Sequence, residues 1–387
     1  MTNLICSHEF CTGCGECLTV CPQHCITLQP NPQGHLYPRI DTQKCVNCNL
    51  CRQKCPANTP VVLHEPQACW AAWAKEEKER TTSSSGAAAS LFAKYIIAKG
   101  GVVYGAALEK GEIRHIRVHQ EHDLGRLKGS KYVYSYAADV YAPLRQDLMD
   151  GKTVLFVGTP CQNAGVSNYV GDHPNLFLVN LICHGTPSFQ MLKDHLKERG
   201  VTQIDTIQFR NNNNNNAYDF RCNDYRALSR LLPDEYVTCF LMGYTYRPAC
   251  YNCAYAKPQR AGDVTLGDFW GLGKQTPFEG GDTSKGCSVI LINTPKGKQL
   301  LEACRDKMHL FPRAYQEAQA GNPQLCGPVP CRVIADKFST YYPRYSFAGA
   351  AWRTVPRLLA TRALKDILKR RTPALRIKRA LQNWLAR

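Results

Sequence analysis

Eight cysteines in a doubled run restrict this chain more than any other feature. Residues 11–22 read Cys11-Thr-Gly-Cys14-Gly-Glu-Cys17-Leu-Thr-Val-Cys21-Pro22, and residues 45–56 read Cys45-Val-Asn-Cys48-Asn-Leu-Cys51-Arg-Gln-Lys-Cys55-Pro56. Each half is C-x-x-C-x-x-C-x-x-x-C-P. Three thiolates two residues apart wrap a tight loop around three corners of a cube, and the more distant cysteine, followed by its proline, reaches across to the neighbouring cube. The run predicts two [4Fe–4S] clusters. One falls to Cys11, Cys14, Cys17 and Cys55, the other to Cys45, Cys48, Cys51 and Cys21. Zinc takes four ligands in paired C-x-x-C units, so a repeated triplet plus one does not suit it. Gly13, Gly15 and Asn47 fit loops that turn sharply, because Gly and Asn tolerate positive φ.

The remaining composition agrees with metal and not with disulfides. The chain has 21 Cys in 387 residues, and its amino end runs straight into Cys6 and the cysteine loops, so no secretory leader is expected. With no apolar run of membrane-spanning length either, the expected setting is the reducing cytoplasm. The formal charge is +17, of which the segment from Ala351 to Arg387 carries eleven Lys and Arg against the single Asp366, leaving only +7 for the other 350 residues. The basicity therefore belongs to the carboxyl end. Nucleic acid is not expected as a partner, since the rest of the chain shows no recognition motif.

Residues 1–65 read as one module of the bacterial-ferredoxin type, with a short hairpin of Ile26–Leu28 and Tyr37–Ile40 joined through Asn31 to Gly34. Cys6, Cys25 and Cys69 lie outside the ligand pattern and read as packing cysteines. Residues 66–80, with Trp70, Trp73 and the charged run Lys75–Arg80, read as a linker. Beyond it the pattern turns to helix, buried strand, helix, buried strand, as in an α/β domain. A Ser/Thr-rich stretch, Thr81 to Gly86, opens a helix that stops at Gly100-Gly101. Such a helix start is a weak signal for a phosphate. The apolar strands 153–157 and 176–182 end in Gly158-Thr-Pro-Cys-Gln162 and Cys183-His-Gly185, and open α/β sheets bind ligands at such strand ends. Asn211 to Asn216 read as a flexible loop.

A second set of cysteines comes from three separate loops: Cys161, Cys183 and the lone C-x-x-C of Cys250 and Cys253. These four thiols can hold a third [4Fe–4S] cluster. The alternative is that Cys161 and Cys183 are small buried residues beside a cofactor.

Taken together, Ser84-Ser-Gly86, Gly100-Gly-Val-Val-Tyr-Gly105, Gly129-Ser-Lys-Tyr132, Gly158-Thr-Pro-Cys-Gln162, Cys183-His-Gly185, Cys250-x-x-Cys253 and Gly262-Asp-Val-Thr-Leu-Gly-Asp268 resemble the beta subunits of coenzyme F420 hydrogenases and dehydrogenases. The resemblance covers roughly residues 1–300. It implies a flavin, usually FAD, in the central domain, exchanging hydride with a deazaflavin or a comparable organic partner while clusters pass single electrons. By matching position, Ser85, Gly86, Lys131, Tyr132 and Thr159 are candidates for the flavin or its phosphates, with Lys131 as the charge partner. Two clusters ahead of the flavin domain and a basic tail behind it look like the bacterial branch associated with polysaccharide biosynthesis. The Asn run departs from the charged and aromatic residues that family members carry there.

The expected architecture is an α+β ferredoxin-like module (1–65), a linker (66–80), an α/β flavin-binding domain (81–345) and a basic amphipathic helical tail (346–387), divided by Pro373. The tail fits a peripheral contact with the inner face of a membrane and, equally, a helix packed on the protein. The expected function is an iron–sulfur flavoprotein oxidoreductase working with a redox partner protein or subunit. The alternatives are a flavin-free electron-transfer adaptor and a scaffold in glycan assembly whose clusters are structural.

Overall fold

The structure, a computed structural model, describes residues 4–211, 217–227, 234–330 and 332–361. Between the two cysteine runs, β1 (Ile26–Pro30) and β2 (Leu36–Ile40) form an antiparallel hairpin. The Asn31 side chain closes its turn by accepting from the amides of Gln33 and His35, and Gly34 supplies the positive φ.

Eleven more strands follow among the described residues: β3 (Ala68–Ala74), β4 (Val102–Glu109), β5 (Glu112–Val118), β6 (Val154–Gly158), β7 (Leu176–Leu181), β8 (Ile207–Asn211), β9 (Ala217–Cys222), β10 (Tyr225–Arg226), β11 (Val264–Asp268), β12 (Ser288–Ile292) and β13 (Met308–Arg313). Eight of them form one mixed sheet in the order β13-β3-β12-β11-β7-β6-β4-β5, and β8, β9 and β10 make a small antiparallel sheet beside it. Within the large sheet β4, β6, β7 and β11 run parallel, and the strands on either side are antiparallel.

The parallel strands are mostly apolar because helices cover both faces. Val103, Leu155, Val179 and Val264 pack under the helices Ala88–Ala98 and Pro295–Ala303. Their sequence neighbours Val102, Tyr104, Val154 and Phe156 point the opposite way and pack on the helices Tyr141–Met149 and Pro160–Val170. Because these four strands run parallel, their carboxyl ends lie along one edge of the sheet.

Residues 66–80 are not a linker. Ala68–Ala74 is β3, hydrogen-bonded between β12 and β13, with Ala71, Ala72, Trp73 and Ala74 buried. The charged run behind it turns inward too. Glu79 accepts from Ser83 and Ser90 and pairs with Lys94 and Lys128, while Arg80 donates to the carbonyls of Gly286 and Asp282 and stacks over Trp73. Small alanines carry little strand signal, and the partners of β3 stand more than 200 residues later, so no local pattern announces it.

The beginning of the expected tail packs on the protein. In the helix Phe347–Thr354, Phe347, Ala350 and Ala351 are buried against Tyr236 and Phe338, and Trp352 Nε1 donates to Glu235. Residues 362–387, with Pro373 and most of the basic charge, lie outside the described residues, as does the Asn run after Asn211, which closes β8. Among the described residues no helix is long and apolar enough to cross a membrane.

Candidate functional site

The first cysteine loop turns where its sequence allows it to. Gly13 and Gly15 have φ of 70° and 89°, and Asn47 in the second loop has φ of 54°. These turns bring Cys11, Cys14, Cys17 and the distant Cys55 to one pocket, which also holds Cys6 and Glu16. Around the second loop, Cys21 packs with Cys45 and Cys51, and the charges of Cys21 and Cys48 both act on Cys51. Cys48 itself is exposed.

Two of the three expected packing cysteines sit closer to these thiols than expected. Cys6 shares the pocket with Cys11 and Cys55, and its neighbouring thiol lowers Cys11 to about 6 and Cys55 to about 7. The Cys25 sulfur lies 3.4 Å from that of Cys21. Cys69 is buried in β3, as a packing residue would be. Glu16, between Cys14 and Cys17, is buried, and burial raises its carboxyl to about 9.

The second set of cysteines also converges. Cys161, Cys183, Cys250 and Cys253 line one chamber of ≈ 40 Å³. Cys161 enters from the first turn of the helix Pro160–Val170, whose amino end is closed by a capping box of Thr159 and Gln162. Cys183 follows the end of β7, and Gly185 beyond it has φ of 132° with the Tyr246 ring pressed where a Cβ would stand. Pro248 starts the short helix Pro248–Tyr251 that presents Cys250. Burial raises all four thiols, Cys161 to about 11 and Cys250 to about 12. Four half-buried thiols facing one chamber are a donor set suited to a cluster, whose irons supply the positive charge that favours their thiolates. Among the described residues no three His, Cys, Asp or Glu are grouped to hold a single metal ion. A cubane spreads its four thiolates over four irons.

Beside this chamber a cleft of ≈ 320 Å³ opens at the carboxyl ends of β6, β7 and β11. Ser85, Lys131, Tyr132 and Thr159 line it. Gly86 lies just behind, where a Cβ would run into the carbonyl oxygen of Ala72. Ser85 takes φ of 56° and donates to the Cys287 carbonyl at 2.9 Å. Ser84 and Ser130 meet hydroxyl to hydroxyl at 2.9 Å. Tyr132 stacks on Phe240 at 4.7 Å, and its hydroxyl accepts from Arg210, which pairs with Asp268. Lys131, expected as the charge partner, stands in the cleft wall. Its ammonium donates to the carbonyls of Leu127 and Lys128 at 3.0 and 2.8 Å, and burial lowers it to about 7. As placed, it braces the cleft wall.

Sequence reasoning missed four residues here. Thr12, next to Cys11, lines the first cysteine pocket, the four-thiol chamber and the cleft alike. His115 faces the cleft, stacked on Phe156 and bonded to Ser135, and burial lowers it to about 4. Tyr134 and Arg247 reach from the body to the carbonyls of Gly13 and Cys11. Only Thr12 carried a sequence signal, its place inside the run.

Comparison with known proteins agrees with both halves. Residues 151–316 match the family that describes the carboxyl-terminal part of the beta subunit in coenzyme F420 hydrogenase/dehydrogenase, and residues 10–59 match the 4Fe-4S dicluster domain. An uncharacterized ferredoxin from Methanocaldococcus jannaschii is 34% identical over 60 residues, which is 16% of this chain and 77% of that protein. A chain in the structure of the F420-reducing [NiFe] hydrogenase complex from Methanosarcina barkeri aligns with a TM-score of 0.46 at 13% identity, covering 72% of this chain and 94% of its own.

Proposed function

Because the chain belongs to the coenzyme F420 hydrogenase/dehydrogenase beta-subunit family and carries a 4Fe-4S dicluster domain ahead of the matched segment, we propose that it is an iron–sulfur flavoprotein oxidoreductase. The reading puts two clusters in the amino-terminal module, a third on Cys161, Cys183, Cys250 and Cys253, and a flavin, FAD, in the cleft. A flavin exchanges two electrons as hydride and releases them singly, which suits clusters that carry one at a time. The substrate is an organic hydride donor or acceptor, a deazaflavin or a comparable molecule, and a redox partner protein or subunit exchanges the electrons.

One observation supports this reading above the others: Thr12 lines all three cavities, so the first cysteine pocket, the four-thiol chamber and the cleft adjoin one another. The chain's own residues give each place its character. Tyr132 and Phe240 form an aromatic wall for a planar ring, and His115, kept neutral by burial, faces the cleft as a hydrogen-bonding group without charge. Ser84 and Ser85 line the cleft as well, with Gly86 just behind them, and this seryl turn suits the phosphate end of a dinucleotide.

The test is anaerobic purification followed by iron, sulfide and flavin determination on one sample. The reading expects about twelve irons and one FAD per chain. About eight irons with FAD would move the second cysteine set to another role, and about eight irons with no flavin after reconstitution would leave the electron-transfer adaptor instead.

A further inference from the structure

Arg247 is 1% exposed, and among the described residues no carboxylate forms an ion pair with it. Its Nε donates to the Cys11 carbonyl at 2.6 Å and its Nη2 to the Leu36 carbonyl. The guanidinium lies 4.4 Å from the Tyr37 ring and 6.0 Å from that of Tyr134. The groups that act most on its charge are Cys11, Tyr37, Tyr134 and Cys250, and no Asp or Glu is among them. Neutral carbonyls and ring faces supply dipoles and quadrupoles but no counter-charge, so the thiol of Cys11 is the chief group able to answer a guanidinium taken out of water here.

The position of Arg247 is built from both sides. Its amide donates to the Thr186 carbonyl at 3.1 Å, in the loop after Cys183, and its carbonyl accepts from the Cys250 amide at 2.8 Å. The backbone thus belongs to the four-thiol chamber, while the side chain crosses to the first cysteine loop. That loop makes room for it: a Cβ at Gly13 would stand 2.7 Å from Nη1.

We propose that Arg247 is the buried counter-cation of the iron–sulfur cluster held by Cys11, Cys14, Cys17 and Cys55, and that its charge keeps the reduction potential of that cluster up. The inference rests on the cluster reading given above. A cubane with four thiolates is anionic, and reduction adds one further negative charge with no bond made or broken. A fixed positive charge against the loop favours the reduced state, since net charge and hydrogen bonding set the potentials of such clusters.

The test is a redox titration of the full chain, purified anaerobically, with each cluster followed by its paramagnetic signal and dithionite as the electron source. In R247Q the iron content is expected to match the parent, while the reduction equilibrium of one cluster moves about tenfold against reduction, ~59 mV for one electron. R247K keeps the charge and is expected to stay near the parent. Unchanged potentials in R247Q, or a shift in R247K as large as in R247Q, would overturn the proposal. Should R247Q fail to load, R247K decides: a parent-like potential supports the charge argument and a tenfold shift overturns it. A parent without clusters overturns the cluster reading itself, whereas a loaded parent with unmoved variants overturns only the role of Arg247.

Discussion

The hydroxyl of Tyr134 donates to the carbonyl oxygen of Gly13 across 2.6 Å, so a residue of the cleft wall holds the first cysteine loop directly. Both groups are buried, and removing the hydroxyl strands the carbonyl without a partner. Tyr134→Phe is expected to lower stability by about 1–3 kcal/mol, read as a shifted denaturant midpoint with the slope unchanged. An unaltered midpoint would mean that the two units are held together elsewhere.

The crossed ligand assignment separates two cysteines that close their runs in the same way. Cys55→Ala is expected to abolish the paramagnetic signal of the cluster on Cys11, Cys14 and Cys17 and to spare the other. Cys21→Ala should do the reverse. If each substitution removed the cluster of its own run, the pairing proposed here would be wrong, although Cys55 shares a pocket with the first triplet.

For the second cysteine set, Cys250→Ala is expected to reduce the iron content by about four per chain while the amino-terminal signals persist. Iron content equal to the parent, with only a loss of stability, would mark Cys250 as a buried packing residue.

Burial holds the folded His115 near 4, below the unfolded value of about 6.5. The unfolded chain therefore binds the proton more readily. The contribution of this group is intact above about pH 6.5 and is lost as the pH falls towards 4, by up to about 3 kcal/mol. His115→Gln is expected to flatten the pH dependence of the unfolding free energy across that window. Parallel curves for parent and variant would show that His115 is not the group responsible.

Gly86 has no room for a side chain, since a Cβ would meet the Ala72 carbonyl oxygen and stand 2.8 Å from the Ser288 amide. Both belong to the sheet and cannot move aside cheaply. Gly86→Ala is expected to cost roughly 3 kcal/mol, visible as a lowered melting temperature, together with weakened flavin binding. A variant as stable as the parent would mean that the turn relaxes away from β3.

The sequence by itself determined what depends on neighbours along the chain. The two cysteine triplets, their glycines and asparagines at positive φ, the hairpin between them and the apolar parallel strands β4, β6 and β7 all follow from short-range spacing, because a cluster loop or a buried strand is written in consecutive residues. Tertiary structure decided what depends on partners far away. β3 is a strand because β12 and β13 flank it, though its alanines and the charged run behind it read as a linker. Lys131 sits at the cleft, yet carbonyls of its own loop take its ammonium. The meeting of Cys161, Cys183, Cys250 and Cys253, and the reach of Arg247 from that chamber to Cys11, join segments up to 236 residues apart. No local pattern encodes such a contact, since the free energy that fixes it comes from burying surfaces that meet only when the sheet has formed.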